Sequence, residues 1–245
     1  AYGAFFNPTQ PSARILEDGG SPVFRSADEV AGAIALVIPV AEDRPPIPEV
    51  PESDLKLAAD DYFTTRAFLS DAGMAFARAL QVHSLEEAQA AARELGFPVV
   101  LKALASMHKS DGGGVALGLR TEDEVAEAFR GMEPLGATEY SVEEMVTDGD
   151  SVELILGARV DSQFGPIVLV GMGGIYSELL DDTAVELAPV DVDGAEAMIR
   201  RLRGALILAG MRGRPALAVR AAAEQLSALS HAISRAPNVL EIEVN

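Results

Sequence analysis

Apolar positions recur along this chain with two different periods, and the changes of period mark its elements. Ser26, followed three residues later by Glu29, forms a capping-box pair that opens a helix through Ala31, Ala33 and Leu36. Tyr62 with Leu69, and Phe63 with Ala67, share faces of a second helix that Gly73 ends; Phe76, Leu80 and Val82 then predict a strand. Ser84 with Glu87 caps a third helix, whose stripe of Leu85, Ala88, Ala92 and Leu95 stops at Gly96. The strand Pro98 to Ala103 follows at once. A glycine-rich turn leads to the strand Val115 to Leu119, and Thr121 with Glu124 opens the next helix.

From Tyr140 to Gly171 the pattern turns strand-rich. Ser141 to Met145, Val152 to Val160 and Ile167 to Val170, separated by Asp and Gly turns, predict an antiparallel sheet. Asp193 with Glu196 starts a helix, another spans Ala218 to Ser234, and Val239 to Val244 is the closing strand. Helices interleaved with strands make the fold class α/β or α+β. Pro45, Pro46, Pro48 and Pro51 favour extended, semi-rigid backbone, so residues 41–52 read as a linker between residues 1–40 and the remainder.

Composition narrows the function classes. About half of the 245 residues are apolar (49%), enough to bury a sizeable core, and no run is long and apolar enough for a membrane span. Ala1 to Pro8 shows neither a basic region nor a cleavable apolar core, so secretion is not expected. The absence of cysteine excludes disulfides, thiolate metal sites and cysteine nucleophiles, and suits a cytoplasmic enzyme. A formal net charge of -19 argues against a nucleic-acid partner. An anionic ligand must therefore be held by local groups.

Several local groups qualify. Lys102 ends an apolar strand, where its ammonium could grip a phosphate; a solvated strand-end lysine would read the same. In His108-Lys109-Ser110-Asp111-Gly112-Gly113-Gly114, three glycines let backbone N–H groups approach an anion beside a lysine and a hydroxyl, though a flexible hairpin turn fits the same string. His108 could accept a phosphoryl group, or simply face solvent. Gly171-Met172-Gly173-Gly174 follows a strand, but Tyr176 stands where a dinucleotide fingerprint needs its third glycine; a close chain crossing is the alternative. Glu241, Glu243 and Asn245 alternate along the last strand and present hard oxygen donors of the kind Mg²⁺ accepts, or merely an exposed polar face.

Taken in order, these segments resemble the ATP-grasp domain of nucleoside-diphosphate-forming acyl-CoA synthetases, a family that includes ADP-forming acetyl-CoA synthetase. The resemblance covers Leu57 to Asn245. It rests on Leu95-Gly96-Phe97-Pro98-Val99-Val100-Leu101-Lys102, the His108 to Val115 loop, Phe164-Gly165-Pro166, Gly173-Gly174 with Glu178-Leu179-Leu180, Arg212-Gly213, and Glu241 to Asn245. Residues 1–40, through Gly20-Ser21-Pro22-Val23-Phe24-Arg25-Ser26, look like the tail of the flavodoxin-like CoA-ligase domain that precedes the ATP-grasp unit in single-chain members.

The resemblance implies a two-lobed ATP-grasp domain over residues 53–245, with a nucleotide-binding lobe over about 53–140 and a second lobe over about 141–245 whose last strand is missing. It implies ATP or ADP and Mg²⁺ as ligands, with CoA bound by domains outside this chain. Lys102 would contact nucleotide phosphates, with Lys109, Ser110 and Gly112 to Gly114 closing over them. Glu143, Glu144, Met145 and Val146 would hold adenine, with Glu144 and Val146 as its contacts; His108 would relay phosphate, and Glu243 and Asn245 would hold magnesium. The implied partners are upstream CoA-binding and CoA-ligase domains or a separate subunit; further copies of the chain are left open.

The reaction implied is the interconversion of acyl-CoA, ADP and phosphate with a carboxylic acid, CoA and ATP. Glu186 stands where the family usually carries an arginine, placing a negative charge near the expected cleft, and the usual acidic residue is missing around Arg214 to Ala218. A regulatory module without ligase chemistry, as in domains fused to protein lysine acetyltransferases, is the second reading. A carboxylate-amine ligase is the third, opposed by the His-Lys-Ser loop.

Overall fold

The computed structural model describes residues 3–4, 11–20, 22–42, 48–50, 56–59, 61–104, 113–146, 151–174, 182–210 and 215–244, with backbone alone for 3–4 and 36–42. The chain divides into two compact units, Ala1–Ile47 and Pro48–Asn245.

In the first unit, β1 (Gly3–Ala4) pairs in parallel with β2 (Val23–Phe24), and the helices are α1 (Pro11–Asp18) and α2 (Ala27–Glu42). Ser26 Oγ accepts the Glu29 N–H at 3.2 Å, and the Glu29 carboxylate accepts the Arg25 N–H at 2.7 Å, so this capping pair forms. Residues 41 and 42 are helical rather than linker: Ala41 and Glu42 are good helix formers and extend α2 up to the proline cluster.

The second unit begins with α3 (Tyr62–Asp71), capped by Asp61, whose carboxylate accepts the Thr64 N–H at 2.8 Å. Gly73, at φ +103°, ends it in a conformation other residues rarely adopt. Next come β3 (Ala79–Val82), α4 (Leu85–Leu95), β4 (Val99–Ala103), β5 (Val115–Leu119), α5 (Glu122–Met132) and β6 (Tyr140–Glu144). The capping boxes of α4 and α5 form as expected, Ser84 Oγ and Thr121 Oγ1 accepting the Glu87 and Glu124 N–H groups at 3.2 Å each.

These strands make one antiparallel sheet in the order β3-β6-β4-β5. Ala88, Ala92 and Leu95 of α4 and Val125 and Phe129 of α5 close a core with Val99, Leu101 and Val142 on one face of it. Burying each such leucine or valine contributes about 1.5–3 kcal/mol.

A second antiparallel sheet, in the order β10-β7-β8-β9, contains β7 (Leu154–Asp161), β8 (Gly165–Met172), β9 (Thr183–Leu187) and β10 (Glu241–Val244). It packs against α6 (Val192–Arg201), α7 (Ala205–Leu208) and α8 (Val219–Arg235) through Leu156, Val168, Val170, Met198, Leu226 and Ile233.

Three expectations change. β6 lies in the first sheet, between β3 and β4, and not with β7 and β8. Strand-rich sequence cannot tell which sheet a strand joins, and here Val142 is needed beside Val99 and Leu101 in the first core. The first sheet's share of the chain therefore runs to residue 144, beyond the lobe boundary expected near 140. The α6 cap is Asp191, which accepts the Gly194 N–H at 2.7 Å; Asp193 lies one turn inside. Finally, β9 was not expected.

Helix α3 precedes the first sheet in sequence but is seated on the core of the second. Leu69 (2% exposed) and Met74 (5%) belong to that core. Leu57 and Asn238 exchange hydrogen bonds of 3.2 and 2.9 Å, and the Ala75 N–H donates to Gln225 on α8 at 2.7 Å. Among the described residues no helix is long and apolar enough to cross a membrane.

Candidate functional site

The face of the first sheet opposite its helices carries Lys102 and Glu143. Strand alternation puts them there: Leu101 and Val142 point into the core, so their neighbours point away. Lys102 Nζ donates to Glu143 Oε2 at 2.8 Å. Glu143 Oε1 accepts from the Tyr62 hydroxyl at 2.7 Å and from Ser141 Oγ at 2.9 Å. Arg66, one turn along α3, donates to the Tyr62 oxygen at 3.3 Å and to the Ala77 carbonyl, and its guanidinium lies 4.7 Å from the Phe76 ring centroid.

Electrostatics follow from this packing. Glu143 is only 7% exposed, and burial alone would push its carboxyl up. Hydrogen bonds from Lys102 and Tyr62, the Lys102 charge and the Ser141 hydroxyl outweigh burial and hold it below the ordinary 4.5. The Tyr62 phenol is pushed up to about 12, by burial first and then by its bond to the Glu143 carboxylate and that group's charge, with Arg66 partly opposing. The Glu143 carboxylate is thus ionised at neutral pH, and its partner Lys102 is still one-third exposed (33%).

The other expected residues fall as follows. Gly113 (φ +84°) and Gly114 lead into β5 directly beside the end of β4; the Gly114 carbonyl accepts the Ala103 N–H at 2.8 Å, and Val115 sits opposite Lys102. Two of the loop glycines therefore stand next to the lysine. The Glu144 and Met145 N–H groups donate to the Arg78 and Pro98 carbonyls, at 2.9 and 3.4 Å, and Val146 leaves 69% of its surface exposed. His108, Lys109, Ser110, Gly112 and Asn245 lie outside the described residues, as do Arg212, Gly213 and Glu178 to Leu180.

Glu241 and Glu243 lie on one exposed face of β10, opposite Arg159 and Gly157 of β7. With Ile167, Leu169, Val185 and Leu187 they line a cleft of about 780 Å³ on the bare face of the second sheet. Glu186 does not share that face. It pairs with Val168, a core residue, and its carboxylate meets Arg201 of α6 at 2.6 Å. The charge expected near the cleft is accordingly neutralised by Arg201, because a single-residue step along the strand turns Glu186 to the face opposite Val185 and Leu187.

The Gly171–Gly174 run serves close packing. A Cβ at Gly171 would stand 3.0 Å from Thr183, and one at Gly173 3.0 Å from the Glu153 backbone. This is the chain crossing that the sequence offered as the alternative to a dinucleotide loop.

An ATP-grasp domain profile matches residues 59–245. The chain belongs to the ATP-grasp family. This ATP-grasp chain is 34% identical over 246 residues to a trans-feruloyl-CoA synthase of an unknown prokaryotic organism, covering 94% of the chain and 34% of that protein. It is 35% identical over 170 residues to acetate–CoA ligase (ADP-forming) I of Archaeoglobus fulgidus, covering 66% of the chain and 25% of that protein. The beta subunit of the corresponding Pyrococcus furiosus ligase is 34% identical over 171 residues, with 65% of the chain and 72% of the subunit covered.

Among solved structures, dinucleotide-forming acetyl-coenzyme A synthetase 1 of Ca. Korarchaeum cryptofilum, in complex with coenzyme A, Ca-AMPCP and HgCl+, superposes with a TM-score of 0.70. That match has 29% identity and covers 87% of this chain and 91% of that one. The ATP-grasp chain spans 34% and 25% of the two full-length relatives.

Sequence reasoning missed Tyr62, Arg66 and Ser141. The sequence pattern places Tyr62 on a helix face shared with Leu69 and assigns it no role, whereas its hydroxyl reaches the first sheet. The available signal was weak: an aromatic with a polar tip one turn from an arginine, and a serine two residues before Glu143 on the same strand face.

Proposed function

We propose that this chain is the nucleotide-binding, phosphoryl-transferring part of a nucleoside-diphosphate-forming acyl-CoA synthetase, which interconverts acyl-CoA, ADP and phosphate with a carboxylic acid, CoA and ATP. The observation that carries the reading is Lys102, one-third exposed and beside Gly113 and Gly114 on the sheet face opposite the helices, within an ATP-grasp fold whose similar proteins are CoA ligases. An acidic protein can bind a polyanion only through such local groups.

In this reading Lys102 contacts the phosphates as a point charge, and backbone N–H groups of the glycine loop cover them. Val146 supplies an apolar contact for adenine, beside Glu144. Glu143 keeps the Lys102 ammonium aimed, and Glu243 with Asn245 would hold Mg²⁺. Hard carboxylate and amide oxygens of this kind suit magnesium held by one or two protein oxygens with phosphates and water completing its shell. Bound there, Mg²⁺ would neutralise phosphate-oxygen charge. His108 would take the phosphoryl group from an acyl phosphate, a P–N bond forming as the P–O bond to the departing carboxylate breaks, and pass it to ADP, that P–N bond breaking as a P–O bond to the terminal ADP oxygen forms.

Residues 1–40 are read as the end of a CoA-ligase-like domain, with the stretch from the end of α2 to residue 52 joining it to the ATP-grasp domain at 53–245. Alignment over 94% of the chain with a much longer CoA synthase supports this. Upstream CoA-binding domains, or a separate subunit, are the expected partners, and the cytoplasm the expected location. The Glu186 carboxylate, whose negative charge would favour a regulatory module, is neutralised by Arg201 at 2.6 Å and gives that alternative little support.

The test is turnover of the full-length protein containing this chain. ATP formation from acyl-CoA, ADP and phosphate, abolished in His108→Ala while Mg-nucleotide binding persists, is the expected result. Normal turnover in that variant would reduce His108 to a loop residue.

A further inference from the structure

A lysine ammonium on a four-carbon stem is not aimed by its own stereochemistry, so whatever holds it decides where it stands. For Lys102 that partner is Glu143. A buried carboxylate is costly unless its remaining lone pairs are also filled. Two neutral donors fill them here, Tyr62 at 2.7 Å and Ser141 at 2.9 Å, both on Oε1, leaving Oε2 to the lysine.

Ser141 belongs to the same strand as Glu143, but Tyr62 does not. It comes from α3, which Leu69 and Met74 seat on the core of the second sheet. Its own position is fixed by Arg66, which donates to the phenol oxygen at 3.3 Å and to the Ala77 carbonyl. The Tyr62 ring also lies 5.8 Å from Lys102 Nζ, within the reach of a cation–π contact, so it borders the ammonium directly.

We propose that Tyr62 is a positioning residue of the nucleotide site, holding the Glu143 carboxylate, and through it the Lys102 ammonium, to a helix seated on the second core. This rests on the reading of Lys102 as a phosphate contact. When a phosphate shares the ammonium, Tyr62 and Ser141 still satisfy Glu143, so the carboxylate stays in place. Helix α3 thereby sets the lysine's starting point from outside the first sheet.

The test is a double-mutant cycle on this chain, with wild type, Tyr62→Phe, Lys102→Ala and the double variant titrated with MgATP and with adenosine. Tyr62→Phe keeps the ring and the packing of α3 and removes only the hydroxyl. The expected result is a loss of about three- to tenfold in MgATP affinity in Tyr62→Phe, none for adenosine, and no further loss when added to Lys102→Ala. A merely structural role would weaken both ligands and persist without the lysine; that outcome, or wild-type MgATP affinity in Tyr62→Phe, overturns the proposal while the Lys102 reading stands. Unchanged MgATP affinity in Lys102→Ala removes the lysine from the site and the proposal with it.

Discussion

Glu143 Oε2 lies 2.8 Å from the Lys102 ammonium in a position that strand alternation prepares, since Leu101 and Val142 turn their neighbours onto the face of the first sheet opposite its helices. The pair is asymmetric. Glu143 is buried and accepts three hydrogen bonds, whereas Lys102 keeps a third of its side-chain surface for a ligand. A phosphate that approaches meets a partly desolvated ammonium, which strengthens the contact relative to one in free water.

Replacing Glu143 by glutamine removes the charge and leaves the lysine without its counter-ion. Glu143→Gln is expected to lose about 1–3 kcal/mol of stability at pH 7, read from urea unfolding. The folded-state carboxyl titrates below the ordinary 4.5, so the glutamate's contribution is fully present above that value and is lost as pH falls through its lowered value. The gap between wild type and variant should therefore narrow in acid. A gap independent of pH would contradict the assigned pairing.

Leu69→Ala tests where α3 is anchored. Leu69 is 2% exposed in the second core, so truncation is expected to cost about 2–5 kcal/mol in chemical unfolding. A cost near that of a surface change, under about 0.5 kcal/mol, would mean that α3 is not seated there.

Much of the fold was legible because local chemistry dictated it. The capping pairs Ser26/Glu29, Ser84/Glu87 and Thr121/Glu124 each place a helix start, and Gly73 and Gly96 each mark an end. Sheet membership was not legible. β6 reads like β7 and β8, and only the need of Val142 for partners across the first sheet assigns it. Lys102 and Glu143 could be named separately from strand position and family pattern, but their contact is set by the Lys102–Ser141 and Val100–Glu143 register. The Tyr62 contact spans 81 residues and joins a helix to a strand, a relationship no local periodicity encodes.

Glu186 illustrates the same limit. Its place in the chain suggested interference with an anion, yet its carboxylate is 2.6 Å from Arg201 on the helical side. Glu186→Ala is expected to leave MgATP affinity within about twofold and, being a partly exposed pair, to cost under about 1 kcal/mol of stability. A marked gain in nucleotide affinity would show that its charge reaches the cleft after all.

The central claim is that this ATP-grasp chain binds magnesium nucleotide through Lys102. Calorimetric titration of wild type and Lys102→Ala with ATP, with and without Mg²⁺, tests it most directly. The account predicts magnesium-dependent binding by the wild type, weakened about tenfold or more in the variant by loss of one charge-assisted contact. Equal affinity in the two proteins, or no binding by either, would contradict it.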